Sequence, residues 1–289
     1  MNQELLLTKR RSMFEEVWIR FLRKPIAVLG GLIILIVTLS CLLAPVIAPY
    51  DYDDQDVTRK FTEPNKDFFF GTDNLGRDVF SRLLYGGRIS LMVGFVSASV
   101  AAVFGVAFGG IAGFYGKKTD NIIMRILDVF MALPQMLLAI VISAMLGTGI
   151  KGAIIAVTIA TIPRYAQAVR GPILAIRNQE FVEAAFAIDA SDSRIILRHI
   201  LPNVLSPIIV QVTLGVGSAI TMAASLSFLG LGVQPPYPEW GAMISAARVY
   251  ILDHSYLVTF PGLAIAIVVL ALNLLGDGLR DAMDPRWKE

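Results

Sequence analysis

The chain has 289 residues, 55% hydrophobic and 17% charged, with a mean hydropathy of +0.66. Soluble domains carry about 25% charged and about 45–50% apolar residues, so this balance excludes an ordinary water-soluble enzyme and points to a polytopic membrane protein. The net charge of +2 is too small to mark a nucleic-acid binder. The single cysteine, Cys41, excludes an intrachain disulfide framework, a CxxC pair and a thiolate metal site.

Residues 1–25 hold six basic residues (Lys9, Arg10, Arg11, Arg20, Arg23 and Lys24) ahead of an apolar run over 26–48. That run exceeds the roughly 7–15 residue core of a cleaved signal peptide, so a retained first span is expected. A lipoprotein signal ending at Cys41 is the alternative, but Thr38 stands where a bulky apolar residue belongs. A polar segment over 49–88 leads to a second span over 89–115. There Ser97, Ala101, Gly105, Gly109 and Gly113 recur at every fourth position, a spacing that lets helix backbones approach closely. It serves either a subunit or gating interface or packing within one bundle.

The third span is expected over 122–147, with Arg125 and Asp128 placed to pair on its surface. The fourth, over 150–169, is interrupted by Pro163 and Arg164, and its cytoplasmic half is expected to extend out of the bilayer as a plain helix. After a polar connection over 170–203, the fifth span runs over 204–230 and puts Gln211, Gly215, Ser218 and Ser225 on one face. Gln211, Ser218 and Ser225 are candidates for lining a pathway, and hydrogen bonding between helices accounts for them equally. In the connection over 230–256, Pro235, Pro236 and Pro238 impose irregular backbone at its start. The sixth span covers 257–276 and a tail 277–289. Asn273, Asp277 and Asp281, four apart, form either a contact or a solvated helix end. Residues 89–276 thus make the core of an all-α, six-span fold.

With a cytoplasmic N-terminus, 17 of the 25 basic residues fall inside, and six of the other eight share the 49–88 loop with eight acids. The positive-inside rule therefore puts both termini in the cytoplasm. Trp18, Trp240 and Trp287 fall near span ends, as an aromatic belt requires.

The middles of the spans are almost free of charge, whereas an ion-coupled carrier keeps ionisable groups there. Energy must then come from elsewhere. The one near miss to a phosphate loop, Gly110 to Thr119, fails at Ile111 and Lys118. HExxH and GxSxG are absent, and His199 and His254 fall on opposite sides of the membrane in this topology. A non-catalytic chain is expected, with no cofactor of its own.

Glu183–Asn203 reads EAAFAIDASDSRIILRHILPN. Helix formers over 183–188 are followed by a break at Asp189 and Ala190. Ser191 is a possible N-cap, and a second short helix ends near Ile200 because Pro202 stops its pattern. Two short amphipathic helices between spans suit docking to a soluble partner or lying on the membrane surface.

This segment resembles the EAA loop of ABC importer permeases. FGTDNLGRDVFSRLLYGGRISL (70–91), SFLGLGVQPPYPEWGAMI (227–244) and NLLGDGLRDAMDPR (273–286) are similar to the C-type permease of the dipeptide/oligopeptide/nickel branch. The resemblance implies a type I importer permease in the bacterial inner membrane. Its partners would be a second homologous permease, two ATPase subunits that use ATP and Mg, and an extracytoplasmic binding protein. It also implies that Glu183, Ala184 and Ala185 begin a coupling helix docked on an ATPase, followed by Ile195, Leu197, His199 and Pro202. The family's Gly falls on Asp189, which is expected to keep the turn. Peptides are the implied cargo, with nickel or a metal chelate as the alternative. A stand-alone secondary transporter is the competing class, and a receptor or assembly component a third.

Overall fold

The computed structural model describes residues 13–283. Lys9, Arg10, Arg11, Arg286, Trp287 and Lys288, used above for orientation and for the aromatic belt, lie outside the described residues, and Trp240 is no belt residue: it is buried in the core and donates to Leu83 O at 2.9 Å. In chain order the helices are α1 (Met13–Leu22), α2 (Pro25–Leu42), α3 (Ala44–Ile47), α4 (Val79–Tyr115), α5 (Lys117–Met131), α6 (Gln135–Leu146), α7 (Ile150–Ile176), α8 (Glu180–Ala187), α9 (Asp192–Phe228), α10 (Trp240–Ala247) and α11 (Tyr256–Met283). Among the described residues the only β pairing is an isolated bridge between Thr72 and Asp78. Five helices are long and apolar enough to cross a membrane, or six if the bent α5–α6 pair forms one span.

The bend corrects the continuous third span expected over 122–147. α5 and α6 meet at 85° across Ala132–Pro134, because Pro134 has no N–H to continue the ladder and drives Leu133 out of the helical region. α6 alone, at 12 residues, reaches only about 18 Å. Arg125 and Asp128 are both exposed and form no ion pair with each other. The charge that organises α5 is Asp120, which takes two hydrogen bonds from Arg170 of α7 at 2.5 and 2.6 Å.

The second span starts ten residues earlier than expected, at Val79, where the Asp78 carboxylate accepts from Ser81 N–H at 2.7 Å. α7 continues through both Pro163 and Pro172 to Ile176, so neither Pro163 nor the exposed Arg164 interrupts the helix. α4 and α7 lie parallel, with the small-residue stripe between them. A Cβ on Gly105 would meet Tyr165, one on Gly109 the Ala166 backbone, and one on Gly113 Ile173. Ser97 closes the stripe, donating to Ile154 O at 3.3 Å. Packing inside one bundle thus accounts for the whole stripe.

α9 and α11 run antiparallel to each other and complete the bundle with α2. Gly276 sits on Leu214, Gly30 on Ala271, and Gly278 on Ala27. Cys41 is buried in α2 under Gly87. The described chain ends near 13 and 283 lie at the same end of the bundle as the 177–191 turn, and Lys24 pairs there with Asp281 at 3.1 Å. Asp281 thus makes an ion pair while its helix end stays exposed.

At the other end, the 49–78 segment folds onto the start of α4 and α11. Asp73 accepts from Leu75 and Arg77 N–H at 2.8 and 3.1 Å and from Arg77 Nε at 2.8 Å. Tyr256 donates to Thr72 O at 2.9 Å, and Phe70 stacks on Phe260 with centroids 3.9 Å apart.

Candidate functional site

The 177–203 region is a compact knob on the ends of α7 and α9. α8 buries Val182 and Ala185 against Val169 and Ile173 of α7 and Ile195, Ile200 and Val204 of α9. These side chains form a core separate from that of the membrane bundle. α8 stops in a Schellman motif, in which two carbonyls left free at the helix end are satisfied by the chain that turns back. Ala190 N–H donates to Ala185 O at 3.2 Å and Asp189 N–H to Phe186 O at 3.0 Å. The position that must turn left-handed is Asp189, at φ +58°. This is where the EAA pattern has Gly, and it shows what that Gly is for: a Cβ-free residue at the αL step.

The second helix does not stop at Pro202. It continues as α9 to Phe228, with a π-helical stretch over Ile195–Ile200. Leu201 N–H donates to Ile196 O, a wider i→i−5 turn immediately before Pro202. The extra residue absorbs the proline, which lacks an N–H and would otherwise clash with the carbonyl four residues back. Ser191 holds the cap position, but its side chain makes no capping bond. Asp192 instead accepts from the Tyr115 hydroxyl at 2.8 Å, and Phe186 stacks on Phe114. α8 is thereby tied to the end of α4 as well.

The residues singled out from the sequence divide into two sets. Ala185 and Ile195 are buried and hold the knob together, whereas Glu183, Ala184, Asp189, Leu197 and Pro202 are exposed and His199 half-buried. The knob's outer surface also includes Phe186, Ile188 and Leu197, which are 50%, 78% and 66% exposed. Phe186 and Ile188 were not singled out from the sequence. The helical period did not mark them, since Ile188 falls three residues after buried Ala185 and is exposed because α8 ends at Ala187.

On α9 the proposed pathway face is not uniform. Gly215 is buried against the Tyr165 hydroxyl, while Ser218 is open and Gln211 and Ser225 are half-buried. The Ser218 and Ser225 hydroxyls donate back to Leu214 and Thr221 carbonyls at 3.5 and 2.8 Å, so no second helix is needed to satisfy them. Ser225 lines a cleft of about 380 Å³ with Thr221, Phe228, Gly241 and Ile244. Irregular backbone at the start of the 230–256 connection is found as expected, with a cis Pro235–Pro236 bond. Glu239, fully buried, was missed. It caps α10 by accepting from Ala242 N–H at 2.9 Å and takes the Ser90 hydroxyl at 3.0 Å. The link joins the GGRIS and PPYPEW segments.

Residues 105–289 match a family model described as binding-protein-dependent transport system inner membrane component. Residues 12–64 match the N-terminal TM domain of oligopeptide transport permease C. The chain is 44% identical over 277 residues to the dipeptide transport system permease protein DppC of Alkalihalophilus pseudofirmus, across 96% of this chain and 91% of the relative. It is 47% identical over 279 residues to the glutathione transport system permease protein GsiD of Escherichia coli, across 96% and 92%. The MetNI methionine ABC transporter, in an inward-facing conformation, shares the fold with a TM-score of 0.58 at 21% identity, covering 70% of this chain and 96% of that one. The helical architecture, the knob between α7 and α9 and these matches converge: the chain belongs to the binding-protein-dependent transport system inner membrane components, as a multi-span permease subunit of an ABC importer.

Proposed function

We propose that this permease carries di- or oligopeptides and that its 177–203 knob docks on an ATPase subunit. The observation that carries the coupling assignment is the exposed apolar set Phe186, Ile188 and Leu197 on a knob braced from beneath. Val182, Ala185, Ile195 and Ile200 join the knob to α7 and α9, and Asp120–Arg170 joins α7 to α5. A push on α8 therefore moves several helices together, since a packed core transmits displacement. ATP and Mg belong to the ATPases in this reading, and the chain itself binds no cofactor.

A second, homologous permease supplies the other half of the pathway, and an extracytoplasmic binding protein delivers the cargo. The knob and both termini face the cytoplasm, as the distribution of basic residues indicates. Closure of the ATPase dimer draws the two knobs together and opens the path outward, and hydrolysis resets it. Peptide cargo is supported by the relatives' names, which specify a dipeptide and glutathione. Both are small amide-linked molecules.

The test is ATPase activity of the reconstituted complex with its binding protein, adding a dipeptide, glutathione or nickel in turn. Stimulation by a peptide is expected. Stimulation by nickel alone would replace the cargo assignment, and transport by the isolated chain without ATPases would replace the coupling assignment.

A further inference from the structure

We propose that the cleft between α2, α4, α9 and α11 is a phospholipid site, with one acyl chain in the cleft and the phosphate on Arg88. The cavity has a volume of about 430 Å³, and Ile34, Cys41, Phe95, Val212 and Leu272 are among the residues that line it. Its one charged lining residue is Arg88, which is exposed. Among the described residues no hydrogen bond or ion pair engages this side chain, in contrast to Arg77, Arg82 and Arg170. A guanidinium carries five N–H donors and no acceptor, so this exposed one at the edge of an apolar cleft is open to an anion from outside the chain.

Depth and chemistry select the occupant. Arg88 follows Gly87, which lies against Cys41 close to the end of α2. From Leu42 back to Ile34 the cleft follows α2 for eight residues, about 12 Å at 1.5 Å per residue. That is close to half of a hydrocarbon core of about 30 Å, so a headgroup at Arg88 leaves its chain lying along the cleft. A peptide fits this lining poorly, because its amides would enter an apolar space with few partners. Besides Arg88 the lining has two hydroxyls, Thr38 and Thr213, and that of Thr213 is already donated to Ile209 O at 3.0 Å. Met92 and Phe95, 44% and 62% exposed, leave the cleft open sideways, the direction from which a lipid enters.

The complex, purified with its partner permease and ATPases, is incubated with equal amounts of dioleoylphosphatidylglycerol and dioleoylglycerol and examined by native mass spectrometry. The phospholipid should be retained in about fivefold preference, the factor expected for one basic residue near a lipid phosphate. Arg88→Gln should bring the two lipids close to equal retention. Met92→Trp, a change at a partly exposed position that places an indole over the cleft mouth, should displace both. Unchanged selectivity in Arg88→Gln, unchanged retention in Met92→Trp, or no lipid retained by the wild type would each overturn the assignment. Cross-linking from Met92→Cys to the second permease would overturn it as well, by showing that protein covers the cleft.

Discussion

Asp189 occupies the one step of the 177–203 knob that L-residues resist. At φ +58° its Cβ faces a penalty that for a general residue is about 1–2 kcal/mol, with aspartate toward the low end because it visits this region more readily. Its negative charge also follows a helix C-terminus, where carbonyl dipoles disfavour it by about 0.3–1 kcal/mol; exposure puts this near the lower figure. Asp189→Asn removes only the charge and should tighten the turn by a few tenths of a kcal/mol. Asp189→Gly also removes the Cβ, partly offset by roughly 0.5–1 kcal/mol of unfolded-state entropy, for a net gain of about 0.5 kcal/mol. Asp189→Val, β-branched, should lose about 1–2 kcal/mol, or tenfold in local opening at 1.4 kcal/mol. The readout is amide exchange at Ala190 and at position 189, whose N–H groups make the two Schellman bonds. Slower exchange in the Gly and Asn variants and faster exchange in Val is expected. Equal exchange in all four proteins would refute the left-handed turn.

Gly109→Val should force α4 from α7, since the added side chain meets the Ala166 backbone, which cannot yield; a loss of about 1–3 kcal/mol by thermal unfolding in detergent is expected. Gly110→Ala is the control, because its nearest neighbour would be Ile173 at 4.0 Å, and it should be neutral or slightly stabilising. Burial raises the Asp78 carboxyl above the ordinary aspartate range, against the opposing bonds from Ser81 and Phe80 N–H. Its folded form holds the proton longer than the unfolded one, so its contribution to the α4 start weakens as pH rises from the ordinary aspartate value through the raised one. Asp78→Asn should abolish that pH dependence while keeping the cap, and Asp78→Ala should cost about 1 kcal/mol, both read by proteolysis of the 71–82 segment. Glu183→Lys, exposed in the first turn of α8, should leave membrane insertion intact and reduce peptide-stimulated ATPase activity; normal uptake at normal expression would contradict its place in the docking face.

Hydropathy made the bundle legible because membrane spans announce themselves by length, and the every-fourth small residues from Ser97 to Gly113 marked a helix contact. Their partner was not legible. Only the fold shows that α7, nearly sixty residues on, receives them. Charge pairing by local spacing misled at Arg125 and Asp128, since Asp120 found a stronger bidentate partner fifty residues away in Arg170. Pro163 was read as an interruption of the fourth span and Pro202 as a stop, yet both positions are helical. At 202 a π turn supplies the room, and no one-residue periodicity rule anticipates it. The Asp189 turn was readable because the αL requirement is a property of a single residue. The exposed side of the knob, Phe186 and Ile188, depended on which face of α8 found the 169–204 core.

The central claim is that the knob between α7 and α9 touches an ATPase subunit. A photo-cross-linking amino acid in place of Ile188, 78% exposed at the tip, tests it in the assembled transporter. The predicted result is a covalent product with an ATPase subunit whose yield changes on addition of ATP. Products with lipid alone, in a complex that still hydrolyses ATP in response to peptide, would contradict it.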